Sequence, residues 1–405
     1  MTDITAFTTA DIPAVRTAIS PSPGVDIEIG DALQLADLKP DWDDLLSRAA
    51  EPNAFMNPEL VRAAAQSYPE SQLRALLAWK TIEGRRRLLG VWAFSFGQAR
   101  KSLLPMRMLL APPFPHGYLA TPVVDRSFLE ETLEAMLEAI ADAPDLPKII
   151  ALDTMATEGP TMASLGRVLA KRGSAPCFLA QSSRPKLESD CDGKQYFEMA
   201  LSSSSRKKLR QHRRRLSEKG ALRAEIVSDP NDIAKAIEEF LQMEASGWKG
   251  RQGTALLCSD ADAAFFRTGF AALAQDGCAS IHSLYLDQRP VSMQLVVCAG
   301  QAAFTWKTAY DEEFRDFSPG ILLLEDCTAA FLADETIGFV DSCALDDTSY
   351  MSTWTERQRV GDLWIDVRRG GSHAFALLGK LETIYRELRA SAKQHYLSLR
   401  RNRAR

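Results

Sequence analysis

The hydrophobic positions switch between periods of two and of 3.6 residues, in an order that occurs twice along the chain. A strand pattern, VDIEI (25–29), precedes two helical stretches, DWDDLLSRAA and NPELVRAAAQSY. Asn57-Pro58 opens the second in cap and first-turn positions. Strand patterns follow in LRALLAWKTI and RRLLGVWAFSF, then the turn-rich LAPPFPHGYLATP. Residues 126–143 place Leu129, Leu133, Met136, Leu137 and Ile140 on one helical face. A buried-type strand KIIALDTM, a helix ending at Gly173 and a further strand close this half.

The second half opens with strand LRAEIV (222–227), helix NDIAKAIEEFLQMEA, a glycine-rich loop and helix DAAFFRTGFAALAQDG. Three hairpin strands follow, ASIHSLYLD, PVSMQLVVCAG and AAFTWKTAYD. Helix PGILLLEDCTAAFLADE, strands IGFVDSCA and LWIDV and a long last helix complete it. The long helices at 126 and 319, and the strands at 148 and 337, are offset by about 190 residues. This order predicts an α/β fold of the α+β kind, a mixed sheet of hairpins and parallel crossovers flanked by helices, built twice. The chain divides into a loose tail (1–24, ending in SPSPG), an N-terminal domain (25–190) and a C-terminal domain (191–405).

With 405 residues, 46% of them hydrophobic, the chain can bury two cores. Seven scattered cysteines, none in a CxxC pair, read as reduced core residues of a cytoplasmic protein. The first twenty residues are polar and broken by Pro13, unlike a signal peptide. No apolar run approaches the roughly 20 residues that cross a bilayer, so no membrane span is expected. Against a net charge of −5, the stretch SSSSRKKLRQHRRRLSEKG (202–220) carries seven Lys or Arg between Arg206 and Arg215, leaving −12 for the remainder. Such a remainder repels polyphosphate, so DNA is not an expected partner. The serine run caps a helix ending at Gly220. Its apolar stripe, Leu209 and Leu216, is too thin for a membrane-surface helix.

Four stretches, RKKLRQHRRRL with Gly220, EASGWKGRQGTA (244–255), YLDQRPVSMQLVV (285–297) and FTWKTAYDEEFRDFSPGILLLED (304–326), resemble one family in sequence and order. It is the acetyltransferase family often labelled cellulose-biosynthesis proteins, a branch of the GNAT superfamily. The resemblance covers roughly residues 195–345. It implies two tandem GNAT-like acyl-CoA N-acyltransferase domains related to the Fem-type aminoacyl transferases, with acyl-CoA as donor; acetyl-CoA is the expected form, and with no metal-ligand spacing in the sequence no metal is expected. The first half resembles the family's preceding domain in element order and in PVVD before its long helix.

Aminolysis of a thioester needs a neutral amine, a polarised carbonyl, a proton for the departing thiolate and a grip on an anionic donor. For the grip, DFSPGILLLE supplies Ser318 as N-cap, Pro319 in the first turn, Gly320 for close backbone approach and Ile321 behind it. That helix start suits a pyrophosphate, the group GNAT enzymes bind there. Arg206, Lys207 and Arg210 are expected to face the cleft and hold an anionic acceptor or the adenosine phosphate. In GWKGRQGTA, Trp248 can stack on a ring, Lys249 and Arg251 can hold anions, and Glu244 just before them can accept a proton. The strand FTWKTAYDEE predicts Phe304, Trp306, Thr308 and Tyr310 on one face, Lys307 and Asp311 on the other, with Trp306, Lys307 and Tyr310 beside the substrate. Asp311 is a candidate base, and Tyr350 stands where the superfamily's thiolate-protonating tyrosine often sits. Acceptors in view are an amine-bearing metabolite or a polysaccharide precursor. A tRNA-dependent aminoacyl transferase and a non-catalytic scaffold in a polysaccharide-synthesis complex are the rivals. The first half, with Glu130 and Glu131 at its matching helix start, is expected to hold no donor of its own.

Overall fold

The computed structural model describes residues 15–18, 24–35, 38–99, 102–103, 105–344 and 350–403. The first half runs β1 (Val15–Ala18), β2 (Asp26–Asp31), α1 (Lys39–Arg48), α2 (Pro58–Ser67), β3 (Arg74–Ile82), β4 (Arg85–Gly97), β5 (Met108–Ala111) and β6 (Val123–Val124). It continues through α3 (Leu129–Asp142), β7 (Ile149–Ala156), α4 (Pro160–Lys171) and β8 (Cys177–Leu187). The second half holds α5 (Gly193–Ala200), α6 (Ser203–Ser217), β9 (Leu222–Val227), α7 (Pro230–Ser246), the single turn α8 (Trp248–Arg251) and α9 (Asp260–Gln275). Then come β10 (Ala279–Leu286), β11 (Arg289–Ala299), β12 (Ala302–Tyr310), α10 (Pro319–Ala333), β13 (Phe339–Asp341), β14 (Glu356–Asp366) and α11 (His373–Arg403). Within the stretch read as a tail, β1 pairs antiparallel with β2.

The strands form one mixed sheet in the order β1-β2-β3-β4-β5-β7-β14-β8-β13-β12-β11-β10-β9, with β6 on β4. Among the described residues two pairs are parallel, β5 with β7 and β12 with β13. Each lies beyond an antiparallel run of strands and is closed by a crossover helix, α3 or α10. The repeat expected from hydrophobic spacing is thus a repeat of topology. β14 lies between β7 and β8, antiparallel to both, so a strand from the second half completes the sheet of the first.

Burial explains why these segments adopt these elements. Leu129, Leu133, Met136, Leu137 and Ile140 are all buried, as the α3 periodicity requires. Each such side chain stabilises by about 1.5–3 kcal/mol, more than helix propensity supplies. α2 packs directly on α9 across the halves. Gly269 permits that approach: a Cβ there would sit 2.9 Å from Leu60 Cδ1. Phe55 of the first half meets Phe304 edge-on at 5.5 Å and Trp306 at 5.9 Å, so one core runs through both halves.

Candidate active site

β12 and β13 pair only from Ala302–Phe339 to Phe304–Asp341 and then part. On its other side, β12 slips one residue against β11: Val296 faces Thr305, but Leu295 faces Lys307. Trp306 is the extra residue of this bulge, which takes its backbone out of the ladder. Gln294 supports the distortion, its amide donating to Lys307 O at 2.9 Å and its carbonyl accepting from Thr308 Oγ1 at 2.5 Å. The bulge overturns the strict alternation expected for this strand. Past Trp306 the faces exchange, so Thr308 and Tyr310 lie opposite the Phe304 side and Lys307 joins it.

On the α10 side of the opening stands Tyr350. Its ring lies 3.6 Å from where a Gly320 Cβ would be, and its hydroxyl is hydrogen-bonded to Thr308. Burial pushes its phenol up to about 12, with the Thr308 bond opposing, so it holds its proton throughout the physiological range. Tyr310 lies near enough to act on it electrostatically. The α10 start departs from expectation. Ser318 is left-handed (φ 52°, ψ 54°) and makes no side-chain cap, because the turn Glu312–Phe317 delivers the chain in that conformation. Ile321 and Leu322 N–H both turn back to Ser318 O.

On the opposite side, Lys307 Nζ donates to Tyr118 OH at 3.1 Å. Tyr118 belongs to the loop 112–122, which crosses the central strands from the first half. The loop is held by Arg184, which donates to Tyr118 O at 2.7 Å, and by Trp306 Nε1, which donates to His116 O at 2.7 Å. Arg184 in turn forms a buried ion pair with Asp341 at the end of β13. Beside Tyr118 lies a chamber of about 370 Å³, walled by Phe114, Asp153, Thr154, Asp362 and Ala344 among others. It opens where β5 and β7 part, the first half's counterpart of the β12–β13 opening. Asp362 accepts from Thr154 N–H and from Arg386.

Other expected site residues lie elsewhere. Glu244 is buried and accepts from Lys249 Nζ at 2.6 Å and Leu256 N–H at 2.8 Å, which ties the 244–256 loop instead of facing a substrate. Asp311 caps the Glu312–Phe317 turn and pairs with Arg289, so its carboxylate is engaged at the rim. Trp306 is a core residue among Phe55, Phe265, Phe266 and Phe270. Trp248 is 46% exposed, while its N–H and Arg251 both bond Glu312. Arg206 and Arg210 border a groove with Asp326 and Ala329, well along α10 from its start, and Lys207 on the same turns is exposed. Arg213 bonds Leu322 O and Asp326 of α10, while Arg215 and Lys219 lie over Phe317 just before that helix, each 5.5 Å from the ring centroid.

Sequence reasoning passed over Tyr118, Arg184 and Asp362, whose roles arise from pairings across the halves, and Gln294, whose role arises from the β11–β12 bulge; the one available signal was the proline- and glycine-rich stretch 111–122. It also passed over a second set of contacts behind that loop. Asp262 of α9 accepts from Tyr68 OH at 2.7 Å and lies 3.1 Å from His116 Nε2. Burial raises the Asp262 carboxyl, but these two bonds outweigh it and hold the group below the usual range.

Residues 203–348, which include Gln294, the Trp306 bulge, Gly320 and Asp341 but neither Tyr350 nor most of the chamber, match the family model of the acetyltransferase (GNAT) domain. No curated protein sequence matches the chain. Among solved structures, FemX aligns at TM-score 0.55 with 14% identity, covering 80% of this chain and 95% of that one. The C-terminal domain of a protein described as a lysylphosphatidylglycerol synthetase, from Agrobacterium fabrum, aligns at 0.52 with 14% identity over 87% and 96%. A conserved protein of unknown function from Bacteroides thetaiotaomicron aligns at 0.50 with 8% identity over 80% and 96%. At these identities the structures speak for the fold. The matched segment has a GNAT-type acyltransferase fold, and the first half repeats its topology.

Proposed function

We propose that the protein is an acyl-CoA-dependent N-acetyltransferase acting on an amine-bearing metabolite or polysaccharide precursor. The observation that carries this reading is Tyr350, protonated and fixed between Thr308 and Gly320 at the parting of β12 and β13. Bound acetyl-CoA supplies the acyl group as a thioester. The residues that fit such a donor are Gly320 at the α10 start, with Arg215 and Lys219 over Phe317, ahead of that helix, for phosphate charge. Backbone released by the Trp306 bulge is suited to polarise an acyl oxygen. Tyr350 then gives its proton to the departing thiolate and regains one from the proton the amine loses.

The chamber beside Tyr118 supports entry of the acceptor from the opposite face. Asp153, Asp362 and the Arg386 that pairs with Asp362 line it and make it polar enough to admit an ammonium group. That group must lose a proton before attack. A lysine-like amine does so at pH 7 at a cost of roughly 4.6 kcal/mol, an α-amine at about 1 kcal/mol. An acceptor of the second kind requires no strong base, and Asp311 and Glu244 are both committed elsewhere.

The test is calorimetric titration with acetyl-CoA, followed by mass-spectrometric detection of acetyl transfer to a panel of amines. One site per chain of micromolar affinity is expected, and no binding would overturn the reading. The tRNA-dependent aminoacyl transferase remains the second reading because Lys207, Lys208, Arg210 and Arg214 of α6 are exposed together. A chain that ignores acetyl-CoA but retards aminoacyl-tRNA in a gel is that enzyme.

A further inference from the structure

The last helix, α11, carries two stripes. Phe375, Gly379, Glu382 and Arg386 form the docked one. Phe375 packs with Cys177 and Trp364, and a Cβ on Gly379 would meet Cys177 Sγ at 2.4 Å. Glu382 accepts from Ser102 Oγ at 2.8 Å and Leu103 N–H at 3.1 Å, and Arg386 reaches Asp362 at 3.0 Å. Two residues further along each turn, on the opposite face, stand Leu377, Leu381, Ile384 and Leu388. They are 59%, 46%, 53% and 65% exposed. Spacings of four, three and four residues align them in one row roughly 17 Å long. Leu103, whose N–H meets Glu382, is exposed as well. A single exposed leucine is ordinary; a straight row of four is a surface meant to be covered.

Charge identifies what covers it. Residues 373–405 hold eight Lys or Arg against two Glu, a net of +6 on a chain whose total is −5. Residues 373–388 are balanced and all of the +6 follows in 389–405, so a second copy laid parallel would bring two basic ends together and the repulsion opposes that pairing. An anionic lipid bilayer supplies both requirements, an apolar layer for the four side chains and negative headgroups for the cations. No helix is long and apolar enough to cross a membrane among the described residues, so the geometry is that of a helix lying in the interface.

From this row and this charge, we infer that α11 docks the protein on the surface of an anionic bilayer through Leu377, Leu381, Ile384 and Leu388. The inference is independent of the acyl-transfer reading. It places the chamber, which shares Asp362 and Arg386 with the docked face of α11, close to a lipid surface.

The test is flotation of the full-length protein with vesicles of phosphatidylglycerol and phosphatidylcholine against vesicles of phosphatidylcholine alone. Binding is expected to the anionic vesicles only, weakening as salt rises. The double variant L381Q/L388Q keeps helix-forming residues at exposed positions, so its melting temperature should match the parent. Its affinity for anionic vesicles should fall about tenfold or more. Failure of the parent to bind anionic vesicles at low salt overturns the inference, as does binding that L381Q/L388Q leaves unchanged. A concentration-dependent dimer in light scattering that L381Q/L388Q abolishes assigns the row to a second copy and overturns it too.

Discussion

Single residues decide two outcomes that can be measured separately. Tyr350→Phe removes a hydroxyl whose described partner is Thr308, a bond worth about 0.5–1.5 kcal/mol net, so the fold should persist. If Tyr350 protonates the leaving thiolate, kcat with acetyl-CoA should fall about a hundredfold or more with little change in donor KM. An unchanged kcat removes Tyr350 from the mechanism. Burial pushes the phenol up to about 12, so a rise of parent activity between pH 7 and 9 does not come from Tyr350 and is expected from deprotonation of the acceptor. His282 sits on β10 with its ring 5.1 Å from Phe331, and burial depresses its imidazole from the ordinary 6.5 to about 4. The native state therefore keeps it neutral while the unfolded chain takes up a proton. Its contribution is complete above pH 6.5 and is lost as pH falls through 4, a loss on the order of 3 kcal/mol. His282→Gln should flatten the fall in urea midpoint between pH 6.5 and 4 relative to the parent, and a parallel fall would refute this.

Among elements, the loop ties are the informative case. Glu312 accepts from Trp248 N–H and from Arg251, which fastens the turn α8 to the segment leading into α10. Glu312→Ala should free that turn and raise KM for the substrate it borders severalfold. Exposed pairs contribute little, so thermal stability should barely move. A kinetic profile identical to the parent would show that α8 borders no substrate. These ties also show what the sequence could tell. Hydrophobic period revealed α3 and the order of both halves because such elements have one face to bury. It could not reveal the Trp306 bulge, since the extra residue is a tryptophan that fits either face of an ordinary strand. Ser318 reads as a cap from Ser-Pro spacing, yet the preceding turn sets its left-handed backbone, and no local pattern records that. Glu244 and Asp311 looked like bases because carboxylates beside a loop do; the partners that occupy them, Leu256 N–H and Arg289, are settled only by folding.

At the scale of the whole molecule, the halves are joined where the site is. β14 is seated between β7 and β8, and the buried Arg184–Asp341 pair ties β8 to β13 at the point where β12 and β13 part. Arg184 is 1% exposed and Asp341 fully buried, so neither charge can turn to water. Arg184→Met leaves the carboxylate without its cation and should cost about 3–5 kcal/mol in urea unfolding. Adding Asp341→Leu removes the stranded charge, so the double variant should recover much of that loss. Activity should not recover with it. Asp341 also accepts from Cys343 N–H at 2.9 Å, and Arg184 holds the Tyr118 carbonyl, so both walls of the opening lose a fastening in the double variant. The expected result is near-parental stability with transfer reduced about tenfold or more. A double variant that is both stable and fully active would show that the pair serves the fold alone, and a single variant costing under about 1 kcal/mol would show that water reaches the pair after all.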